Sequence, residues 1–273
     1  MHRNFKRTKQ SLSSLLVVVV LAACAQGEMT SSKVDMALSA SPSSQASVKV
    51  SESKESAQAT PTIATFQTQP SAVGFSADGR YFMHLESWRD KGAGIPHAAI
   101  QIVDVAASSC VTNGCLRTRF TESQANQSIA AAEKDLLQKT QSLRQDLQLS
   151  APVAGKTLPV LTRSRSANGT EVVTVQLPNN QPLQLTLQQK QVASVMAGGT
   201  APKDQAAMQL NISYGNQARL LGSLVQMQDW TLEFSIREVQ LAPDGKSVAV
   251  LLTAAERAFE GTLGRTIVQS FTL

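Results

Sequence analysis

The stretch Val73-Gly74-Phe75-Ser76-Ala77-Asp78-Gly79-Arg80-Tyr81-Phe82 places apolar residues on both sides of an Asp-Gly pair. Asp-Gly between apolar runs is a strong hairpin signal, because glycine readily takes the positive φ that a tight reversal needs. The same order returns near the end of the chain, at residues 239–252 around Asp244-Gly245. We expect Asp78 and Asp244 to accept backbone hydrogen bonds in these turns, an interpretation that we prefer to a catalytic role.

Further β-type runs extend the pattern over most of the chain. They lie at residues 158–162, 170–177, 184–195, 208–214, 218–227, 230–237, 248–253 and 267–273. Residues 231–237 alternate in polarity, which predicts one buried and one solvent-facing side. Helices do not separate most runs, and this favours antiparallel pairing. The predicted fold class is mainly β (α+β), with antiparallel sheets or partial propeller-like hairpins; a complete propeller would need several regularly spaced blades.

Residues 124–149 predict one long amphipathic helix. Apolar residues recur there at helical spacing among charged and amide side chains, and Pro152 follows shortly after. The apolar positions are Ile129, Leu136, Leu137, Leu143 and Leu147. Such a helix packs on its own sheet or docks in a groove of another protein, and we favour the first interpretation.

The first residues have the parts of an export signal. Basic residues occur at Arg3, Lys6, Arg7 and Lys9, and the apolar run 12–21 follows them. A run of about ten residues is too short to span a bilayer, which takes roughly 20. We therefore predict a cleaved signal peptide at residues 1–23.

The tetrapeptide Leu21-Ala22-Ala23-Cys24 resembles the lipobox of bacterial lipoproteins, in which an aliphatic and two small residues precede an obligatory cysteine. The resemblance implies diacylglycerol on the Cys24 sulfur, cleavage before Cys24 and acylation of the new amine, for example with palmitate. More than one fatty chain is needed for stable anchoring. Ala25 rather than aspartate follows, which implies the outer membrane, facing the periplasm, if the host has two membranes. The alternative is an ordinary secretory signal with Cys24 incidental.

Composition divides the remaining chain into two parts. Residues 24–70 are rich in Ser, Ala, Thr and Gln with few aromatic residues, so they cannot bury enough apolar surface to offset the entropy of ordering. We predict a lipidated cysteine and a disordered stalk there. Residues 71–273 are predicted to form a single mainly-β domain.

The net charge does not indicate a nucleic-acid partner. The chain carries a formal +5, but four basic residues precede Cys24 and leave with the signal, so the mature chain carries about +1. We therefore expect no nucleic-acid binding.

Cys110 and Cys115 bracket Asn113-Gly114. In an exported chain, two cysteines around a turn signal predict a disulfide that closes a short loop. A redox or metal role would require further ligands or activated thiols, and none lie nearby in the sequence.

A search for chemistry yields weak candidates. Neither a Gly-x-Ser-x-Gly elbow nor a His-Glu-x-x-His pattern occurs in the sequence, and we predict no catalytic residue and no cofactor. His84 and His97, the histidines of the mature chain, could form a two-histidine, one-carboxylate metal site with Glu86, Asp90 or Asp104. Strand histidines are more often surface or core residues, so we predict no metal there.

The segment Trp88-Arg89-Asp90-Lys91-Gly92-Ala93-Gly94-Ile95-Pro96 is a candidate contact loop. It combines an aromatic residue, mixed charges and glycines, a composition typical of binding surfaces. Trp88, Arg89, Asp90 and Lys91 are the candidate residues. The alternative is a plain connection between strands, with Trp88 covering the edge of the core.

Several motifs follow one another in a fixed order along the chain. The first hairpin is followed by Gly94-Ile95-Pro96-His97-Ala98 and Ile100-Gln101-Ile102-Val103-Asp104-Val105, then by the Ala/Glu-rich helix, and finally by Phe259-Glu260-Gly261 with a last strand. This order resembles a family of predicted secreted bacterial proteins of unknown function, over about residues 70–273. The resemblance implies export and supplies no activity.

Together these features predict a membrane-tethered envelope lipoprotein that binds a protein or cell-wall partner without catalysis. The alternative is a small extracytoplasmic enzyme, or a metal- or ligand-binding protein, with a site at His84 and His97. Whether the chain is an enzyme stays open, with a binding role favoured.

Overall fold

The structure, a computed structural model, describes residues 64–118, 120–193, 203–259 and 261–273. In this part of the chain, fourteen strands form three sheets. The strands are β1 Phe66–Gln67, β2 Gln69–Phe75, β3 Tyr81–Arg89, β4 Pro96–Asp104, β5 Ser109–Arg117, β6 Lys156–Thr157, β7 Val160–Arg165, β8 Glu171–Gln176, β9 Pro182–Ala193, β10 Lys203–Tyr214, β11 Gln217–Asp229, β12 Thr231–Leu241, β13 Ser247–Ala258 and β14 Gly261–Thr272.

The three sheets are named by their position. The central sheet has the order β1-β14-β13-β12-β6, the outer sheet β11-β10-β9-β8-β7 and the helix-side sheet β2-β3-β4-β5. Neighbouring strands are antiparallel except β1, which pairs with β14 in parallel, and the sheets include a curled half-barrel. The prediction of a mainly-β fold with antiparallel sheets is confirmed.

The two predicted hairpins form, and they have the same turn. The β2–β3 turn is closed by a hydrogen bond from the Gly79 N–H to the Ser76 carbonyl, and the β12–β13 turn by one from Gly245 to Ala242. Gly79 has φ of 72° and Gly245 has φ of 69°, as the Asp-Gly signal requires. The hairpins belong to different sheets, not to propeller blades, and a Cβ on Gly79 would collide with the Asp244 carboxylate. The two turns therefore lie side by side.

Apolar clusters join the layers in the order outer sheet, central sheet, helix-side sheet, helices. The largest cluster fills the space between the outer and central sheets, with Leu185, Leu210, Phe234 and Val250 among its buried members. A smaller cluster joins the other face of the central sheet to the helix-side sheet. Residues 231–237 have a buried side with Phe234 and Ile236, as predicted, while Glu233, Ser235 and Arg237 are partly exposed. The predicted solvent-facing side is therefore less open than expected.

The prediction of one long helix over residues 124–149 is also wrong. The segment forms a 3-10 turn, Glu122–Gln124, and two short helices, α1 Ile129–Lys139 and α2 Gln141–Asp146. The Ser128 hydroxyl accepts from the Ala131 N–H and begins α1. Thr140 ends it with φ −102° and ψ 8°, while its hydroxyl donates to the Leu136 carbonyl at 2.8 Å. Hydroxyl side chains that bond to the local backbone therefore divide the segment.

The predicted packing of this segment on its own sheet is confirmed. Leu136 is buried in a cluster with Met83, Leu85 and Ile100 of the helix-side sheet. Leu137, Leu143 and Leu147 pack against the same cluster with partial exposure.

Side chains from the neighbouring sheets cover both open edges of the central sheet. At the β14 edge, the Glu86 carboxylate accepts from the Thr266 N–H at 3.1 Å, and the Gln101 amide accepts from Val268 and donates to the Thr266 carbonyl. At the β12 edge, Glu171 accepts from Ile236 and Gln189 from Phe234. Unpaired edge groups invite further strand pairing, and here side chains occupy them.

The folded region begins earlier than predicted. Strand β1 and the first residues of β2 fall within the range predicted as stalk. Phe66 pairs with Leu263 of β14, a partner distant in sequence that local composition does not reveal. Cys24 and the other residues of the predicted signal lie outside the described residues.

Candidate functional site

Where β14 meets the helix-side sheet, two clefts lie close together along the same strands. The first, the aromatic cleft, is lined by Phe66, Trp88, Lys91, Glu256, Arg257 and Phe259, among others, and has a volume of about 280 Å³. The second, the arginine cleft, has a volume of about 230 Å³ and is lined by residues that include Glu86, Gln101, Leu116, Arg117, Arg265 and Ile267. Both volumes suit a small ligand or a single anchoring side chain.

The predicted contact loop forms one wall of the aromatic cleft, but two of its four candidate residues serve the loop itself. Asp90 accepts hydrogen bonds from the Gly92 and Ala93 N–H groups with one carboxylate oxygen. Arg89 donates to the carbonyls of Ala125 and Gln127, and also to that of Gly94. These bonds fix the loop against the segment that precedes α1.

Trp88 and Lys91 face partners from other elements. The Trp88 indole stacks on the His97 imidazole, with ring centroids 5.3 Å apart, and the Lys91 ammonium lies 4.6 Å from the centre of the Phe66 ring. A cation over an aromatic face is an attractive contact. Trp88 therefore packs on its cross-strand neighbour of β4 and lines the aromatic cleft at the same time.

Phe259, in the β13–β14 turn, is the most exposed large apolar residue of the described chain at 85%. It packs near the Gly92 backbone at the rim of the aromatic cleft. Trp230 lies nearby, because its carbonyl accepts from the Arg257 N–H, and it is 49% exposed. Exposed aromatic residues next to cationic ones are typical of contact surfaces.

The arginine cleft contains an arginine with unused donors. The Arg265 side chain is 8% exposed, and its Nε lies 3.0 Å from the Glu256 carboxylate. This is an ion pair without an aligned hydrogen bond, since Nε and Nη1 have no hydrogen-bond partner among the described residues. Arg117 lines the same cleft, is exposed, and makes no hydrogen bond or ion pair in the described part of the chain.

Glu256 links the two clefts, because it lines the first and pairs with Arg265 of the second. Burial raises the pKa of Glu256 to about 7; the Arg117 charge works against this rise and the Glu86 charge adds to it. The ion pair with Arg265 also opposes the rise, so the direction rests on burial. Near neutral pH this carboxyl is therefore divided between its two protonation states.

A buried polar cluster lies behind the clefts, between the central and helix-side sheets. Glu86 accepts hydrogen bonds from the Thr68 hydroxyl and the Thr266 N–H, and burial raises its pKa. Arg237 donates to the Thr266 hydroxyl at 2.9 Å. Burial, together with the nearby Arg237 charge, lowers the pKa of His84 to about 3. His84 is therefore a neutral imidazole at physiological pH.

The structure does not assemble the two histidines into a metal centre. His84 lies opposite Gln101, and His97 lies opposite Trp88 further along the same strand pair. Both His84 nitrogens are buried without a hydrogen-bond partner among the described residues. Within the described ranges, no group of three or more histidine, cysteine or acidic residues has the geometry to hold a metal ion.

The predicted disulfide between Cys110 and Cys115 is present, with Cα atoms 5.8 Å apart. It does not close a hairpin between two strands, as a tight reversal would require. Both cysteines belong to β5, where Cys115 faces Gln101 and Cys110 faces Val103 of β4. The disulfide therefore closes a four-residue bulge, residues 111–114, in which Asn113 has a φ of 60°.

Sequence reasoning missed Arg117, Arg237, Glu256 and Arg265 as candidates. Their relevance depends on pairing between distant strands, as for Glu256 and Leu263 across β13 and β14.

The fold and the clefts define a class: an all-antiparallel β domain apart from one short parallel pair, with binding-type clefts where two sheets meet. Residues 88–271 match the family described as predicted secreted protein (DUF2259). The chain belongs to this family, in agreement with the resemblance noted above, and the family description indicates export. Comparison with curated proteins and with solved structures gives no match. Among the described residues, no helix is long and apolar enough to cross a bilayer.

Proposed function

We propose that the protein is an exported lipoprotein, tethered through Cys24, whose β domain binds an envelope protein at the aromatic cleft without catalysing a reaction. The observation that carries this proposal is Phe259, which is 85% exposed at the rim of a cleft that also contains Trp88 and Lys91. Leaving a phenylalanine in water forgoes about 2 kcal/mol of burial. A partner that covers this ring recovers that energy.

The charges around the aromatic cleft indicate the chemistry of the partner. Arg257 and Lys91 are exposed and line the cleft, and Arg257 makes no side-chain hydrogen bond or ion pair in the described part of the chain. A segment that presents an apolar side chain flanked by carboxylates would complement this surface. We therefore favour a protein partner over a glycan partner, which would offer few apolar groups.

The tether rests on the sequence. The lipobox-like Leu21-Ala22-Ala23-Cys24 follows a basic and then an apolar stretch, and membership of a secreted family supports export. Lipid on Cys24 would hold the domain at a membrane surface, where a local partner is met repeatedly.

The test is site-specific photo-crosslinking in the full chain, expressed in its native host. A benzophenone amino acid replaces Phe259 in one strain and Val225 in the other. Val225 is a matched control, since it is 83% exposed on β11 of the outer sheet. We expect one protein adduct from position 259 that position 225 does not give, and we expect Lys91→Glu with Arg257→Glu to reduce it strongly.

An adduct pattern that is identical at the two positions would contradict the proposal, as would an adduct to glycan alone. The alternative, a metal- or ligand-binding function at His84 and His97, is tested separately by metal analysis of the purified full chain. Stoichiometric metal that is lost in a His84→Leu/His97→Leu variant would replace the proposed function.

A further inference from the structure

We infer that the arginine cleft is a second binding site, for a small carboxylate ligand with a compact apolar body. The inference begins with Arg265. Its guanidinium is almost fully buried, one side faces Glu256, and Nη1 has no acceptor among the described residues. A buried charged donor without an acceptor is costly, of the order of 1–3 kcal/mol or more. An acceptor that enters the cleft would remove this cost.

A second arginine stands on the opposite wall. Arg117 pairs across β4–β5 with Ala99, next to the Gln101–Cys115 pair, so it projects from the same side of the helix-side sheet as Gln101. Its charge acts on both Glu256 and His97. Arg117 and Arg265 therefore present two guanidinium groups to one cleft, from two different sheets.

The shape of the donors favours a carboxylate. A guanidinium group offers parallel N–H donors that match the two oxygens of a carboxylate, and the bonds are strengthened by charge. The volume of about 230 Å³ is smaller than the roughly 300–1,000 Å³ of sites for larger organic ligands. The ligand is therefore small, or it is the end of a chain.

The acidic residues of the cleft argue against a more highly charged anion. Glu86 and Glu256 lie beside the two arginines, so a phosphate dianion would meet two carboxyl groups. Burial raises the pKa of both carboxyls, which weakens their repulsion of an incoming carboxylate. A ligand with a single negative charge therefore matches two arginines that lie beside two carboxyl groups.

The rest of the wall is apolar. Ala99, Ile267 and the Cys110–Cys115 disulfide line the cleft, whereas the Ile100 and Leu116 side chains point to the opposite face of the helix-side sheet and pack in its cluster with α1. Ala99, Ile267 and the disulfide would contact a short aliphatic body attached to the carboxylate. A free short-chain carboxylic acid and the C-terminus of a peptide share this chemistry, and the experiment separates them. The site is distinct from the aromatic cleft and does not depend on the proposed function.

The test measures ligand binding to the purified full-length protein in a non-ionic detergent by titration calorimetry and ligand-observed NMR. The probes are isovalerate, its neutral amide isovaleramide and inorganic phosphate. Two acetylated dipeptides that end in leucine, one with a free and one with an amidated C-terminus, complete the set. We expect saturable binding of isovalerate and of the free dipeptide, and weaker binding of the amide and of phosphate.

Three variants locate the site. Arg117→Gln changes an exposed residue and should weaken carboxylate binding about tenfold, the equivalent of one charged hydrogen bond. Arg265→Lys keeps the charge, loses the planar fork and should weaken binding at least as much. Arg80→Gln, an exposed arginine of the β2–β3 turn that lines neither cleft, is the matched control and should leave affinity within about twofold.

If the free dipeptide binds more tightly than isovalerate, the natural ligand is a peptide C-terminus. If isovalerate binds more tightly, the natural ligand is a small carboxylic acid. The inference is overturned if no carboxylate binds saturably, or if the neutral amide or phosphate binds as well as isovalerate. It is also overturned if Arg80→Gln weakens binding as much as Arg117→Gln does. Because Arg117 is exposed, its variant folds irrespective of any damage caused at Arg265.

Discussion

At His84, burial and a neighbouring charge act in the same direction. The side chain is fully buried on β3, with Arg237 close enough to disfavour protonation. Its two nitrogens have no hydrogen-bond partner in the described chain, so the residue gives up solvation without a compensating bond. The contribution of His84 to the free energy of unfolding therefore depends mainly on the pH, because its contacts contribute little.

We predict that His84→Leu removes an acid-sensitive part of the stability. The pKa of His84 falls from 6.5 to about 3 on folding, so below pH 6.5 the unfolded chain binds a proton that the folded chain does not. The free energy of unfolding therefore decreases as the pH falls through this window, by up to about 5 kcal/mol. Urea unfolding of both proteins at several pH values measures the difference. At neutral pH, the variant should be as stable as the wild type or slightly more stable. Parallel pH profiles for the two proteins would contradict the prediction.

Glu256 should give the opposite slope. Its pKa rises from 4.5 to about 7 on folding, so the folded chain holds a proton that the unfolded chain has released. Stability therefore falls as the pH rises from 4.5 to about 7, by up to about 3 kcal/mol. In Glu256→Gln this loss disappears, and stability should rise more steeply with pH over that interval. The same urea series measures it, and Glu122→Gln, at an exposed position of the 3-10 turn, serves as a carboxylate control. An unchanged slope in Glu256→Gln would refute the assignment.

The sequence predicts the role of a single residue where that role depends on its neighbours in the chain. The turn roles of Asp78 and Asp244 follow from their neighbours, and Asp244 accepts from the Lys246 and Ser247 N–H groups as expected. The opening of the aromatic cleft toward Phe259 depends on the pairing of β13 with β14, which the sequence around Trp88 does not contain. Charge pairs across sheets were missed for the same reason.

In the central sheet, side chains from neighbouring sheets hydrogen-bond to the free backbone groups of the open strand edges. Gln101 offers an amide carbonyl and an amide N–H, the two groups that a neighbouring strand would offer, and it bonds to the Val268 N–H and the Thr266 carbonyl. Glu86 and Ser108 accept from the N–H groups on either side of that pair. The β14 edge is thereby occupied without a further strand.

We predict that Gln101→Met destabilises the protein by about 3 kcal/mol. Methionine keeps the length of the side chain but leaves a buried N–H and a buried carbonyl unpaired, each costing about 1–3 kcal/mol. Gln184→Met, at an exposed position of β9, is the control and should change stability by less than about 0.5 kcal/mol. Chemical denaturation measures both. An equal and small effect of the two substitutions would show that Gln101 does not support the β14 edge.

The disulfide is an element-scale feature with a limited energetic role. A loop of this length stabilises the folded state by about 2 kcal/mol in the chain-entropy account, so Cys110→Ser/Cys115→Ser should fold with a modest loss of stability. In protein prepared from the envelope, the two thiols should resist alkylation until a reductant is added, as mass spectrometry would show. Alkylation without reductant would contradict a formed bridge, and complete unfolding of the double variant would contradict its limited role.

Strand positions, including that of β12, were recovered from turn signals and polarity, whereas the division of the helical segment and the limited exposure of β12 were not. At Thr140 a single side-chain hydrogen bond interrupts a periodicity that is otherwise continuous. On β12, alternation predicted a wet face, but Glu233 pairs with Arg165 of the outer sheet and Arg237 donates to Thr266 of the buried polar cluster. Alternation reports side-chain polarity, and solvent exposure depends on which sheet lies opposite.

For the whole molecule, layering follows from the two faces of the central sheet. Cluster residues on β13 divide between them, with Val250 and Leu252 toward the outer sheet and Ala249 and Leu251 toward the helix-side sheet. A strand that is apolar on both sides is a sign of a central layer, and residues 248–252 show this in the sequence. The order of the sheets, by contrast, depends on contacts between residues far apart in the chain.

The proposed lipid tether affects the location of the whole molecule. If Cys24 carries lipid, the full chain expressed in its native host should sediment with membranes, incorporate labelled palmitate and enter the detergent phase on partitioning, since more than one acyl chain holds a protein stably to a bilayer. Cys24→Ser removes the acceptor sulfur, so the variant should lose the label. Cys110→Ser/Cys115→Ser is the matched control, because it removes the other cysteines of the chain and should stay with the membranes. Secretion of the wild type without label would show that Leu21-Ala22-Ala23-Cys24 belongs to an ordinary secretory signal. The β domain would then act free in its compartment, and any partner would be bound by the clefts alone, without the local concentration that a membrane supplies.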